Sequence, residues 1–148
     1  MRISITPPPP LNLTSLTEEV NKQLLLTLQG GMLLVLNDGN RSIASGDKTG
    51  KIYSRRGVEH QASAPGEPPA TDTGELIASG RAGAEMGPSG PEGIVEWTAP
   101  HAVHLEYGTR KMAARPFANP AVERNRGRIA DLLRQALATA SAWFVKKR

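Results

Sequence analysis

Proline and glycine are placed so that only the two ends of this chain can form long regular elements. Four prolines stand in a row at Pro7 to Pro10, a second cluster lies between Pro65 and Pro69, and Gly87-Pro88-Ser89-Gly90-Pro91-Glu92-Gly93 follows. Proline fixes its own φ, lacks an amide donor and pushes the preceding residue to extended geometry, so none of these stretches suits a helix interior. Proline and glycine together make about 18% of the 148 residues, against roughly 12% in average proteins. Long helices are left to the segment after Thr14 and the segment after Asn119.

Ser15-Leu16-Thr17-Glu18 has the spacing of a capping box, which predicts a helix start at that point. Leu16, Val20, Leu24 and Leu28 recur every four residues between polar positions, an amphipathic helical pattern. Gly30-Gly31 weakens it, and Asn37-Asp38-Gly39 offers a glycine cap at its end. Residues 1–14 read as a stiff Pro-rich arm leading into one domain over 15–148. Lys51-Ile52-Tyr53-Ser54 reads as a short strand, and residues 57–73 as a long loop, either functional or ordered by a partner. The spacing of Asp72 and Glu75 predicts a short helix over Gly74 to Ser79. Arg81 to Met86 and Ile94 to Thr98 read as an antiparallel hairpin connected by Gly87 to Gly93. Pro100 to Tyr107 is open between a helical turn and a strand end, and Gly108 to Ala114 reads as a loop. Asn119 as cap and Pro120 at the first helical position start a C-terminal helix over about 119–145, with Val122, Ile129, Leu133, Leu137 and Phe144 tracing its apolar face. The expected fold is α+β, a small antiparallel sheet packed with a long N-terminal and a long C-terminal helix and joined by extended Pro/Gly-rich loops.

The length suits one domain of ordinary size. The absence of cysteine excludes a disulfide scaffold, a thiol nucleophile and a thiolate metal site. The first ten residues lack the continuous apolar stretch of a signal peptide. Leu24 to Leu36 is interrupted by Thr27, Gln29, Gly30 and Gly31 and falls short of the ~18 residues of a membrane span, so the chain reads as soluble, with no membrane partner. The net charge of +4 hides an asymmetry. Arg110 to Arg148 holds ten Lys/Arg against Glu123 and Asp131, a local +8, which leaves −4 on the remainder.

His101 and His104, with Glu106 nearby, have a spacing that a helix can use to hold a metal, but no further ligand stands at a standard distance. Surface or core histidines are the simpler reading. No nucleophile elbow, phosphate-cradling loop or paired-carboxylate motif occurs, so the expectation is a protein without catalytic, metal or cofactor-binding residues. Arg124, Arg126 and Arg128 invite a nucleic-acid reading through phosphate neutralisation. They are not interleaved with aromatics as a base-stacking platform requires, and a solvated helix face explains them equally.

Leu105-Glu106-Tyr107-Gly108-Thr109-Arg110-Lys111-Met112-Ala113-Ala114-Arg115-Pro116-Phe117 resembles the minor tail component, or tail-completion (neck), family of long-tailed bacteriophages. Members carry an aromatic-Ala pair, a Glu-aromatic-Gly-Thr turn, a short basic Met-containing loop, and Arg-Pro-Phe leading into the C-terminal helix. His101 stands here where the aromatic before Ala102 is usual. The Pro-rich Ala62 to Ala70, with Thr73-Gly74-Glu75-Leu76 and Ser79, is similar to the family's entry segment, so the resemblance spans about Lys48 to Ala121.

The resemblance implies a structural virion protein at the head–tail junction, without catalysis. It would form a ring, with a hexamer as the favoured size, that docks tail to head and lets DNA pass. Its partners would be copies of itself, the neighbouring neck and tail proteins (the head–tail connector or stopper, and the tail terminator or tail tube) and, non-specifically, the passing DNA. Its location would be the virion neck or upper tail, and the host cytoplasm during assembly. A tail terminator capping the tube is the alternative within that class; a small basic DNA-binding protein is the alternative outside it. The expected subunit contacts are Glu106, Tyr107, Gly108, Thr109, Arg110, Arg115, Pro116 and Phe117, with loop contacts at Pro65, Gly66, Pro68 and Pro69. Arg124, Arg126 and Arg128 would face the DNA lumen or a neighbouring subunit. Read from the residues themselves, Gly108 should take a positive φ and Thr109 should bond backbone within its turn. Phe117 should be core, and Arg115 should meet an acid, either Glu106 or a carboxylate on a neighbour.

Overall fold

The computed structural model describes residues 13–146. The Pro-rich arm expected at 1–14 lies almost wholly outside the described residues. The elements in order are α1 (Leu13–Ser45), β1 (Ile52–Arg55), β2 (Val58–Gln61), α2 (Glu75–Ala78), β3 (Gly80–Gly87), β4 (Gly90–Trp97), α3 (Ala102–Tyr107) and α4 (Ala118–Lys146). The fold is α+β. Two long helices lie antiparallel and two separate antiparallel hairpins, β1–β2 and β3–β4, accompany them.

α1 departs from expectation at both ends. It already contains Ser15, so the capping box does not start it, and it runs past Asn37-Asp38-Gly39 to Ser45. Gly39 ends nothing because it is a packing residue: a Cβ there would lie 2.7 Å from Trp97 Cζ2. The indole covers the space and in turn donates from Nε1 to Asn40 Oδ1 at 2.9 Å. The Gly30-Gly31 pair is split by its surroundings. Gly30 faces open space, whereas a Cβ on the buried Gly31 would meet Ile129 Cγ1 at 3.1 Å. Gly31 is therefore what lets α1 and α4 approach closely.

The seam of α4 is also shifted from the expected face. Val122 and Leu137 are exposed, while Ala121 and Ala140 are buried and Ile129, Leu132, Leu133 and Ala136 are half-buried. Small residues win these positions because the helices are close. Ile129, of the expected face, packs within the seam against Gly31.

The β3–β4 hairpin pairs Gly80 with Trp97 through to Gly87 with Gly90. Gly90 to Gly93, expected in the connection, instead extends the second strand, so the turn is only Pro88-Ser89. One face lies on α1, where Gly80 and Gly93 admit Leu36 and Met32 against the backbone. In the expected loop 57–73, β2 is an unforeseen strand. Arg56 (φ 53) and Gly57 (φ 79) form the two-residue turn that returns β1 on itself. The principal core lies where these parts meet: Ile43 of α1, Leu76 of α2, Ala99, Ala102 of α3 and Phe117, with Trp97 edge-on to Phe117 at 5.1 Å between ring centroids.

Candidate functional site

The segment Leu105 to Phe117 is held in one conformation by backbone and carboxylate bonds. Glu106 is buried, and its carboxylate accepts from Phe117 N and Ala118 N at 2.9 Å and from Asn119 N at 2.8 Å. These are the free donors at the start of α4, where the helix dipole also favours an anion. Pro120, next in the helix, has no N–H to satisfy. Glu106 thus caps α4 from another element, and Asn119, expected as the cap, lies inside the helix.

Glu106 is fully engaged in this way, and the intrachain pairing expected between it and Arg115 does not form. The Arg115 backbone N donates to Leu105 O at 2.7 Å, closing the loop. Its side-chain Nε is buried with no acceptor among the described residues. Gly108 takes φ 76, and a Cβ there would lie 2.8 Å from Ala114 N. Both the conformation and the space call for glycine. The Thr109 hydroxyl accepts from Lys111 N at 3.2 Å, and Thr109 N donates to Met112 O at 2.7 Å. Phe117 is core, Pro116 is half-buried, and Tyr107, Arg110 and Thr109 are exposed on the outside of the loop.

The Pro-rich segment is fastened to this same chain. Glu67 anchors it, accepting from Thr49 N at 2.9 Å, from Ala64 N at 2.7 Å and from the Thr49 hydroxyl. The Thr49 hydroxyl foremost, with the two amides, holds the Glu67 carboxyl below its ordinary pKa. Lys48 Nζ donates to Pro68 O at 3.1 Å, and burial lowers its pKa against the opposing pull of Glu67 and Asp47. Gly66 N donates to Ala114 O at 3.0 Å, so the two loops of the resemblance are joined directly. Of the expected loop contacts, Pro69 is buried, Pro68 is half-buried, and Pro65 and Gly66 are exposed.

A cavity of about 380 Å³ opens beside this junction, between β1, α2 and α3. Arg115, Arg55, Tyr53, His101, Asp72 and Glu75 contribute its polar lining. Arg55 pairs with Asp72. His101 thus belongs to the cavity wall, His104 is exposed on α3, and among the described residues no three His, Asp or Glu gather as a metal site.

Arg124, Arg126 and Arg128 on α4 have different surroundings. Arg124 Nε pairs with Asp38 Oδ2 at 2.8 Å, tying α4 to α1, with Asn125 Nδ2 on the same oxygen at 3.1 Å. Arg126 reaches Glu123 only at 3.8 Å, and Arg128 is exposed without an ion pair among the described residues. A second, more apolar groove of about 530 Å³ lies between α1, β4 and α4, with Ile94 and Val122 partly exposed in it and Arg126 at its side. No described helix is long and apolar enough to cross a membrane.

Sequence reasoning missed the outward face of the β3–β4 hairpin. Arg81, Glu85, Glu92 and Glu96 are all exposed there, and Glu85 stands directly opposite Glu92. Alternation along strands beginning at Gly80 and Gly90 would have revealed it. No known protein family, curated protein or solved structure matches the chain.

Proposed function

We propose that the chain is a non-enzymatic structural protein of a tailed-phage virion, assembling into a ring at the head–tail junction that joins tail to head and lets DNA through. Two things support this reading: the ordered motif from the Pro-rich segment to Arg-Pro-Phe, and the surface that the fold leaves uncovered. The observation that carries it is the β3–β4 hairpin. It is a two-stranded sheet of eight-residue strands, each with an unpaired edge, and one face of it is turned outward. Isolated edges of this length are a liability in a monomer and a resource in an assembly.

Charge supports the same reading. The outward hairpin face carries three glutamates against one arginine, while the exposed side of α4 pairs Arg126 with Glu123 and Arg134 with Asp131 and leaves Arg128 without an ion pair among the described residues. In a head-to-tail ring unlike surfaces meet, and complementary charge orients them. The Glu85–Glu92 pair would repel a phosphate backbone, which favours assembly over the reading as a small DNA-binding protein.

The test is an amber mutation in the gene within its phage genome. Filled heads and finished tails that do not join are the expected products. Tails of uncontrolled length would assign the terminator role instead, and complete infectious particles lacking the protein would overturn the proposal.

A further inference from the structure

Two features of this fold are unsatisfied in complementary ways. Arg115 lines the cavity between β1, α2 and α3, its Nε is buried without an acceptor, and its guanidinium hydrogen-bonds neither Asp72 nor Glu75 in the same wall. A buried donor on a charged group left unpaired is costly, so such a position is built for an acceptor that arrives from outside. Near the hairpin tip Glu85 and Glu92 are register partners on the outward face, the Glu92 carboxylate lying over Gly87, both exposed and without an ion pair among the described residues. Like charges directly opposite on a strand pair destabilise it unless a cation is supplied.

We propose that the cavity receives the Glu85–Glu92 end of the hairpin from a second copy of this chain, the incoming carboxylate accepting from the Arg115 guanidinium. The inference rests on the self-assembly in the proposed function and names the contact that makes it. A chain cannot fill its own cavity in this way. The hairpin base at Gly80 and Trp97 adjoins α2, which forms the cavity wall, whereas eight residues carry the tip about 25 Å away. Socket and tip are therefore separate surfaces of the subunit, and the contact is heterologous, the kind that closes into rings. The cavity has room for a carboxylate side chain and its neighbours, and His101 and Tyr53 add further donors to its wall. Asp72 neutralises Arg55, and Arg115, whose guanidinium bonds no carboxylate of the wall, Glu75 included, is the group placed to take an acid.

The experiment is sedimentation velocity of the full chain with charge exchanged across the contact. Arg115→Glu alone, and Glu85→Arg with Glu92→Arg, are each expected to raise the concentration of half-assembly about tenfold or more, and combining them in one chain should restore it. Arg115→Gln serves where Arg115→Glu fails to fold. Because the chain has no cysteine, Ser89→Cys with Thr73→Cys supplies an independent readout. Under mild oxidation it should give a ladder of covalent oligomers, since the two positions are too far apart within one copy. A wild type that assembles, with charge variants that assemble equally well and no ladder, overturns this contact and leaves the assembly reading standing. A wild type that stays monomeric at every concentration overturns both.

Discussion

Glu106 does in one side chain what a local cap does with several residues. Its carboxylate satisfies three backbone donors of α4 while buried, so removing it exposes no compensating water to them. Glu106→Ala is expected to lower stability by about 3 kcal/mol in a urea titration, more than the ~1 kcal/mol typical of an exposed cap. A loss no greater than that of an exposed cap would mean that the helix start is held by packing alone. The glycines of the helices offer a second comparison at this scale. Gly30→Ala and Gly127→Ala meet open space and should each gain about 0.5–1 kcal/mol from helix propensity. Gly39→Ala drives a methyl into the Trp97 ring and should cost about 1–3 kcal/mol. Thermal melts of the three variants separate these outcomes by sign. The cap role of Glu106 was not legible in the sequence, because its targets lie eleven to thirteen residues away and no periodicity links them. The turn at Gly108 and the burial of Phe117 were legible, since each follows from one residue's own chemistry.

Among the elements, the two long helices and the β3–β4 hairpin could be read from periodicity and turn residues, and the hairpin's exact extent could not. Gly90 to Gly93 looks like a turn by composition, yet both glycines are strand positions, and Met32 packs against the backbone at Gly93. β2 was missed for a related reason. Its turn is Arg56-Gly57 rather than the Asn-Gly or Asp-Gly that announces a two-residue hairpin. The end of α1 was misplaced because Gly39 reads as a cap unless the tryptophan that covers it, far away in sequence, is known. The Pro-rich segment is an element of the fold in its own right, fastened by Glu67. With its pKa lowered in the folded chain, Glu67 contributes stability that is present above its ordinary unfolded value and is lost as pH falls through the lowered folded value. Wild type should therefore lose more stability than Glu67→Gln between pH 6 and pH 3 in paired denaturant titrations. Equal losses would remove Glu67 from the acid response.

For the whole molecule, the charge asymmetry visible in the sequence acquires positions. The basic helix α4 commits Arg124 to α1, pairs Arg126 with Glu123 and Arg134 with Asp131 and leaves Arg128 outward, while Glu85, Glu92 and Glu96 stand on the outward face of the β3–β4 hairpin. Several large apolar side chains are likewise left on the outside, among them Leu26 and Leu33 on α1, Met86 near the hairpin tip and Tyr107 on the loop. Single exposed apolar residues are ordinary in monomers, but their company with unpaired strand edges and the unanswered Nε of Arg115 is what self-assembly would resolve. The most direct measurement is the mass of the purified full chain in solution, by sedimentation equilibrium across its soluble concentration range. A closed species of fixed size, expected as a hexamer of the 15.8 kDa chain, is the predicted result. A single monomer mass throughout that range would contradict the assembly on which the proposed function depends.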